Sequence, residues 1–220
     1  MRRMIFLMML VTTFCCFSQV DVTKFLGIPI DGSKDEMVQK LIKKGFAYDP
    51  NGGDNLYGEF NGRNVKIGIV TNKNKVYRIV VSDVYPDTER GIINRFNALC
   101  SQFENSGRYH KVSAERIPEG ENIYYEITVN HKSYDAAFFQ LPDEETGDEL
   151  EAAAKIELKK MYPTMSPDTL DIKASTLALS RMLGNTPNKI VWFTIFEYMG
   201  SLDLVLYYDN KLNQPNGEDL

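Results

Sequence analysis

Apolar positions recur along this chain with two different periods, and each change of period marks an element. After Ser33, the residues Met37, Val38, Leu41 and Ile42 fall on one face of a 3.6-residue helix. The "SKDE" at its start is a capping box: Ser33 accepts from the Glu36 N–H, and the Glu36 side chain returns to the Ser33 N–H. Lys43 and Lys44 suit the C-terminal dipole, Gly45 supplies a left-handed residue and Phe46 closes the turn, which predicts a helix over 34–44. The period then drops to two. Leu56 to Phe60 and Arg63 to Val70 flank Asn61-Gly62, a strong hairpin signal because both residues tolerate positive φ. "KVYRIVVSDV" pairs next across a polar turn at Asn72 to Asn74.

Pro86 and Asp87 open a second helix, with Ile92, Ile93, Phe96, Leu99, Cys100 and Phe103 as its stripe and Gly107 near its end. Strands follow at 109–117, 123–129 and 133–140, so helix–strand–strand–strand order occurs twice, without residue-level identity between the units. Thr146 with Glu149 makes another capping box for a helix reaching Tyr162. Ser166, Pro167 and Gly184 frame a helix over 166–184, although alternation from Ile172 to Leu177 leaves a strand open there. "KIVWFTIFEYM" and "LDLVLYY" form a closing hairpin, with Gly200-Ser201 read as a type II′ turn and the tail from Asp209 on the surface. The sum is an α+β fold: an antiparallel sheet with helices packed on one face, then two helices and a C-terminal hairpin.

Composition changes the picture mainly at the N-terminus. Arg2 and Arg3 precede an apolar run from Met4 to about Phe14, and Cys16 and Ser18 lie before Gln19, which is the pattern of a secretory signal peptide over 1–18. A lipoprotein anchor on Cys15 or Cys16 is the rival reading, opposed by the bulky Phe14. No later run approaches the roughly 20 apolar residues that span a bilayer. Residues 19–220 then form one α+β domain, with 19–85 and 86–220 as its halves. Cys100 is the one thiol left after the leader, so an exported chain of this kind has no intramolecular disulfide and relies on its core. Loss of the two arginines takes the net charge from −5 to −7, which excludes a broad nucleic-acid footprint.

Candidate chemistry is sparse. "GIPIDGSK" (27–34) differs from a phosphate-binding loop in having Ser33 where the lysine must stand and Asp31 where phosphate would lie, so it reads as a helix start. "DPNGGDN" (49–55) lacks the span and terminal glutamate of a calcium loop. The acidic run 143–151 suits the first turn of a helix. His110 and His131 have no serine elbow beside them, and with Cys100 they give no zinc spacing. Cys100 sits on an apolar stripe and reads as an inert thiol. No cofactor is expected. The feature left over is aromatic: Tyr124, Tyr125, Tyr207 and Tyr208 come in adjacent pairs within expected strands, so one of each pair points away from the core and offers a surface for protein or glycan.

The leader ending in "FSQ", the start "KFLGIPIDGSKDEMVQKLIKKGF" and the close "YYDNKLNQPNGEDL" resemble a group of uncharacterised exported proteins of Bacteroidetes bacteria. The helix-then-strands order is similar in outline to the repeated modules of β-lactamase inhibitor protein and of outer-membrane assembly lipoproteins. The first resemblance implies location and no activity; the second is an analogy of fold alone. The expectation is an exported, non-enzymatic binding or interaction protein of the periplasm or cell envelope, with an unknown envelope protein or glycan as partner. The alternative is a carboxylate-based hydrolase of polysaccharide or peptide.

Overall fold

The capping box at Ser33 is closed in the computed structural model of the chain, which describes residues 21–49, 52–141, 144–184 and 186–217. The Glu36 N–H donates to Ser33 Oγ at 3.3 Å and the Ser33 N–H to Glu36 Oε2 at 3.0 Å. They start helix α1 (Lys34–Lys43), which buries Met37, Val38 and Leu41 and leaves Ile42 at its exposed edge. Gly45, at φ +98°, ends it: Gly45 N–H reaches the Ile42 carbonyl and Phe46 N–H that of Leu41, a Schellman closure. The leader, with both readings of its processing, lies outside the described residues.

Ahead of α1, the strands β1 (Lys24–Phe25) and β2 (Ile28–Pro29) form a small hairpin of their own. The remaining strands are β3 (Ala47–Tyr48), β4 (Leu56–Phe60), β5 (Arg63–Asn72), β6 (Lys75–Asp83), β7 (Tyr109–Ala114), β8 (Tyr134–Gln140), β9 (Ile190–Tyr198) and β10 (Ser201–Asp209). They make one antiparallel sheet in the order β3-β4-β5-β6-β10-β9-β8-β7. The chain up to residue 85 supplies one side of this sheet and the later chain the other; the β6–β10 ladder, with Val81 opposite Leu206, joins them. One hydrophobic core runs across the join. Met37 and Leu41 of α1 share it with Phe96 and Leu99 of helix α2 (Glu89–Asn105), over Ile67, Val81, Leu204, Leu206 and Phe193 from the sheet. Gly58 belongs to this packing, since a Cβ there would stand 2.5 Å from Cδ1 of Phe46.

Several expected details give way. Thr88 rather than Pro86 or Asp87 caps α2, through the Gly91 N–H at 3.1 Å, while Asp87 binds Arg63 at 3.0 Å. The strand expected over 123–129 is helix α3 (Ile123–Thr128), so the second unit does not repeat the order of the first. Two causes are visible. Ile123 and Ile127 are four apart and face the core together, and the Asn122 side chain caps the turn through the Tyr125 N–H at 2.9 Å. β7 also stops at Ala114 instead of Ile117, because the Asn97 side chain of α2 takes both the N–H and the carbonyl of Ile117, each at 2.9 Å.

The two expected helices after the second unit are α4 (Glu144–Met161) and α5 (Pro167–Gly184). Thr146 lies inside the first turn of α4 rather than at its cap, and no strand forms around Ile172. The two helices pack on each other around Ala154, Leu158 and Ala174, and Lys155 bridges them to Asp171 at 3.1 Å. The closing hairpin turns at Met199-Gly200, with φ of +51° and +84°, a type I′ pair one residue before the one expected. The start of the tail is also less exposed than expected: Asp209 and Asn210 are buried, and Asn210 Nδ2 donates to the Ile30 carbonyl at 2.7 Å. Among the described residues no helix is long and apolar enough to cross a membrane.

Candidate functional site

A groove of about 430 Å³ opens where the two halves meet on the helical side of the sheet. One wall is built by tight turns. Leu26 and Gly27, at φ +51° and +79°, reverse the chain between β1 and β2, and Asn61 and Gly62 do the same between β4 and β5. These turns present Leu26, Glu59, Phe60 and Asn61 to the groove. The facing wall comes from the last turns of α2 (Gln102, Phe103, Ser106) and the start of β7 (Arg108, Tyr109), with Gln140 at the end of β8. Tyr208 of β10 is the floor, 3% exposed, its ring edge-on to Phe25 at 4.9 Å.

The polar groups of the groove hold its shape. Gln140 Oε1 accepts from the Lys24 N–H at 2.6 Å, and Gln140 Nε2 donates to the Lys24 carbonyl at 2.9 Å and to the Tyr109 hydroxyl at 3.1 Å. One carboxamide therefore ties the β1–β2 hairpin to the other half of the molecule. The Tyr208 phenol stands next to that of Tyr109. Burial raises the pKa of Tyr208 well above that of an ordinary phenol, and the neighbouring Tyr109 adds to it. Burial raises Tyr109 as well, against a smaller opposing effect of the Gln140 hydrogen bond. Both hydroxyls stay protonated at neutral pH. Apolar surface completes the lining: Phe60 lies 5.2 Å from Phe25, and Phe103 meets Tyr109 edge-on at 4.6 Å.

The four tyrosines singled out by sequence do not share one surface. Tyr124 and Tyr125 are exposed on α3, a helix and not a strand. Tyr207 faces the opposite side of the sheet, stacked on Trp192 at 4.1 Å with the Arg78 guanidinium 5.0 Å from its centre. Arg78 grips Asp209 through two bonds of 2.6 and 2.8 Å, and Trp192 Nε1 donates to the same carboxylate at 3.0 Å. Tyr208 is the one that reaches the groove, from inside the core, so it is no exposed contact. Gln140, Arg108 and Tyr109 were not singled out. They lie far from Tyr208 in sequence, and no local spacing links them.

A second cavity, of about 530 Å³, lies between the N-terminal turn of α2 and the 119–122 loop. Two of its three carboxylates are committed to structure: Glu89 Oε1 accepts from the Tyr124 N–H at 3.1 Å, and Glu121 accepts from Lys132 and from Tyr134, while Glu119 lines the cavity beside them. Lys132 first, then Tyr134, holds Glu121 below the usual carboxylate pKa. His110 and His131 are exposed and stand at opposite ends of β8, His110 opposite Phe139 and His131 just before Tyr134. Cys100 is fully buried, and burial pushes its thiol up. Among the described residues no group of three or more His, Cys, Asp or Glu is placed to hold a metal ion. The acidic run 143–151 and the 49–55 turn lie partly outside the described residues. Within that turn Asp54 pairs with Lys34 at 3.1 Å.

The molecule is thus an α+β protein with an eight-stranded antiparallel sheet and a groove at the join of its halves. Comparison with protein-family models, with curated proteins and with solved structures finds no match to the chain.

Proposed function

We propose that this chain is an exported, non-catalytic binding protein of the periplasm or cell envelope, and that the groove between its halves takes the ligand. The groove carries the reading: it is concave, floored by aromatic rings and edged by a few convergent polar groups, the usual make-up of a ligand site. Its internal ties through Gln140 to Lys24 and to Tyr109 set the shape in advance, which lowers the ordering cost of binding. Export rests on the sequence of the leader.

The hydrolase alternative asks for a carboxyl that keeps its proton near neutrality beside a second, ionised one. Glu121, in the second cavity, is pulled the other way by Lys132 and Tyr134, and among the described residues Glu59 is the single carboxylate lining the groove. The binding reading is therefore the stronger.

It is tested with the chain from Gln19 immobilised and exposed to envelope extract, beside a Gln102→Trp variant that fills the groove from its exposed lip. The expected result is a protein, glycan or small-molecule partner retained by the wild type and lost by the variant at an unchanged melting temperature. No retained partner, or equal retention by both, would overturn the reading.

A further inference from the structure

The charges around the groove are not evenly used. Gln140, Asn61 and Gln102 spend their amides on neighbours; Asn61 Nδ2, for example, donates to Gln102 Oε1 at 2.7 Å. The Ser106 hydroxyl donates to the Phe103 carbonyl at 2.9 Å and accepts from the Arg108 N–H. The Arg108 guanidinium, by contrast, makes neither a hydrogen bond nor an ion pair among the described residues, although it lines the groove beside Tyr109. Tyr109 accepts from Gln140 Nε2, which leaves its own proton for a group in the groove. Glu59 is the opposing charge, on the β4 side.

We infer that the ligand is a small monoanion with an aromatic or bulky apolar body, its carboxylate taken by Arg108 and the Tyr109 hydroxyl and its body laid between Phe60 and Phe103. This rests on the reading of the groove as the binding site. A planar guanidinium offers two parallel donors to a carboxylate, and a phenol beside it adds a third. The apolar rings suit a body from which water can be displaced, and the volume holds a ligand of one or two residues' size. A second negative charge on the ligand would meet Glu59, which is why one is specified. Two sources share this chemistry: a free aromatic carboxylate, and the C-terminal carboxylate of a peptide ending in an aromatic residue.

The test is an amide-resolved NMR titration of the chain from Gln19, following Gly27, Phe103 and Tyr109. The probes are phenylacetate, phenylacetamide, phenethylamine, and the dipeptide Ala-Phe as free acid and as amide. Phenylacetate or the free-acid dipeptide should shift the groove resonances, and whichever binds more tightly identifies the source. Phenylacetamide and the peptide amide should bind at least 10-fold more weakly. Arg108→Gln should weaken anion binding by about 10- to 100-fold, the size expected for a charge-assisted hydrogen bond. Arg108→Lys should restore part of it with unchanged thermal stability, and Tyr109→Phe should cost a few-fold. Equal binding of acid and amide, or no effect of Arg108→Gln, would overturn the inference. If phenethylamine or phenylacetamide shifts the groove while the anions do not, the anion inference falls and the groove remains a binding site. If none of the probes, nor the envelope extract, moves these resonances, both readings fall.

Discussion

Tyr134, buried at the start of β8, donates to Glu121, and that carboxylate also receives Lys132, whose ammonium lies 4.7 Å from the Tyr134 ring. Burial first, then the bond to Glu121, pushes the phenol up to about 12 from its ordinary value of 10.0. A phenol raised in the fold contributes stability that is complete below pH 10 and is lost as pH climbs from 10 towards 12. Urea unfolding across that window should show stability falling with pH, and Tyr134→Phe should flatten the fall; an unchanged slope would contradict the assignment. Arg95 makes the opposite kind of prediction. It is 6% exposed, it stands 3.5 Å from Asp83 Oδ1, and its Nε and Nη2 make no hydrogen bond. Burial depresses its pKa and Asp83 opposes that effect. Removing the partner is worse than removing the charge itself, because an uncompensated buried cation costs about 3–5 kcal/mol while an apolar replacement is often neutral. Denaturant melts should therefore rank Asp83→Asn well below Arg95→Met in stability, and the reverse order would refute the pairing.

Elements that close on themselves within a few residues were legible, and those that depend on a distant partner were not. The α1 helix carries its own start and stop in Ser33, Glu36, Gly45 and Phe46, and Asn61-Gly62 announces its turn by conformational preference. At α3 the same residues satisfy both periods, since "IYYEITV" alternates while Ile123 and Ile127 also fall four apart. The Asn122 cap decides for helix, and a lone Asn before an apolar run reads equally as a turn. The β1–β2 hairpin is too short for any period to show. The C-terminal turn was misplaced by one residue because Met199 is a poor choice for it. A left-handed Met costs roughly 1 kcal/mol or more relative to a residue at home there. Met199→Asn would create the favoured Asn-Gly pair and should stabilise by about 0.5–1 kcal/mol, read as a higher urea midpoint at constant m-value. A lower midpoint would mean that Met199, 86% exposed, makes a contact this geometry does not show.

At the scale of the whole molecule, the site was illegible for the same reason as the strand order. Alternation says that Tyr207 and Tyr208 point to opposite faces, and it cannot say which face is covered or what stands across from it. The groove exists only because β1, β4, α2, β7, β8 and β10 converge, and that convergence follows from the β6–β10 ladder, a pairing between residues more than a hundred positions apart. β10 is the last strand in chain order, yet it lies between β6 and β9 in the sheet. Without it, each half would show an open strand edge and an uncovered part of the core. A chain ending at Tyr198 should lack a cooperative thermal transition, and adding a peptide of residues 199–217 should restore one; a sharp melt of the truncated chain alone would show the halves to be independent. The direction of assembly follows from this placement. Folding cannot be completed from the N-terminus as the polypeptide emerges, because the piece that joins the halves is made after all the other strands. Until then the chain stays open, with β6 and β9 unpaired on their inner sides, and its solubility in that interval depends on keeping those two edges away from each other's copies in neighbouring chains.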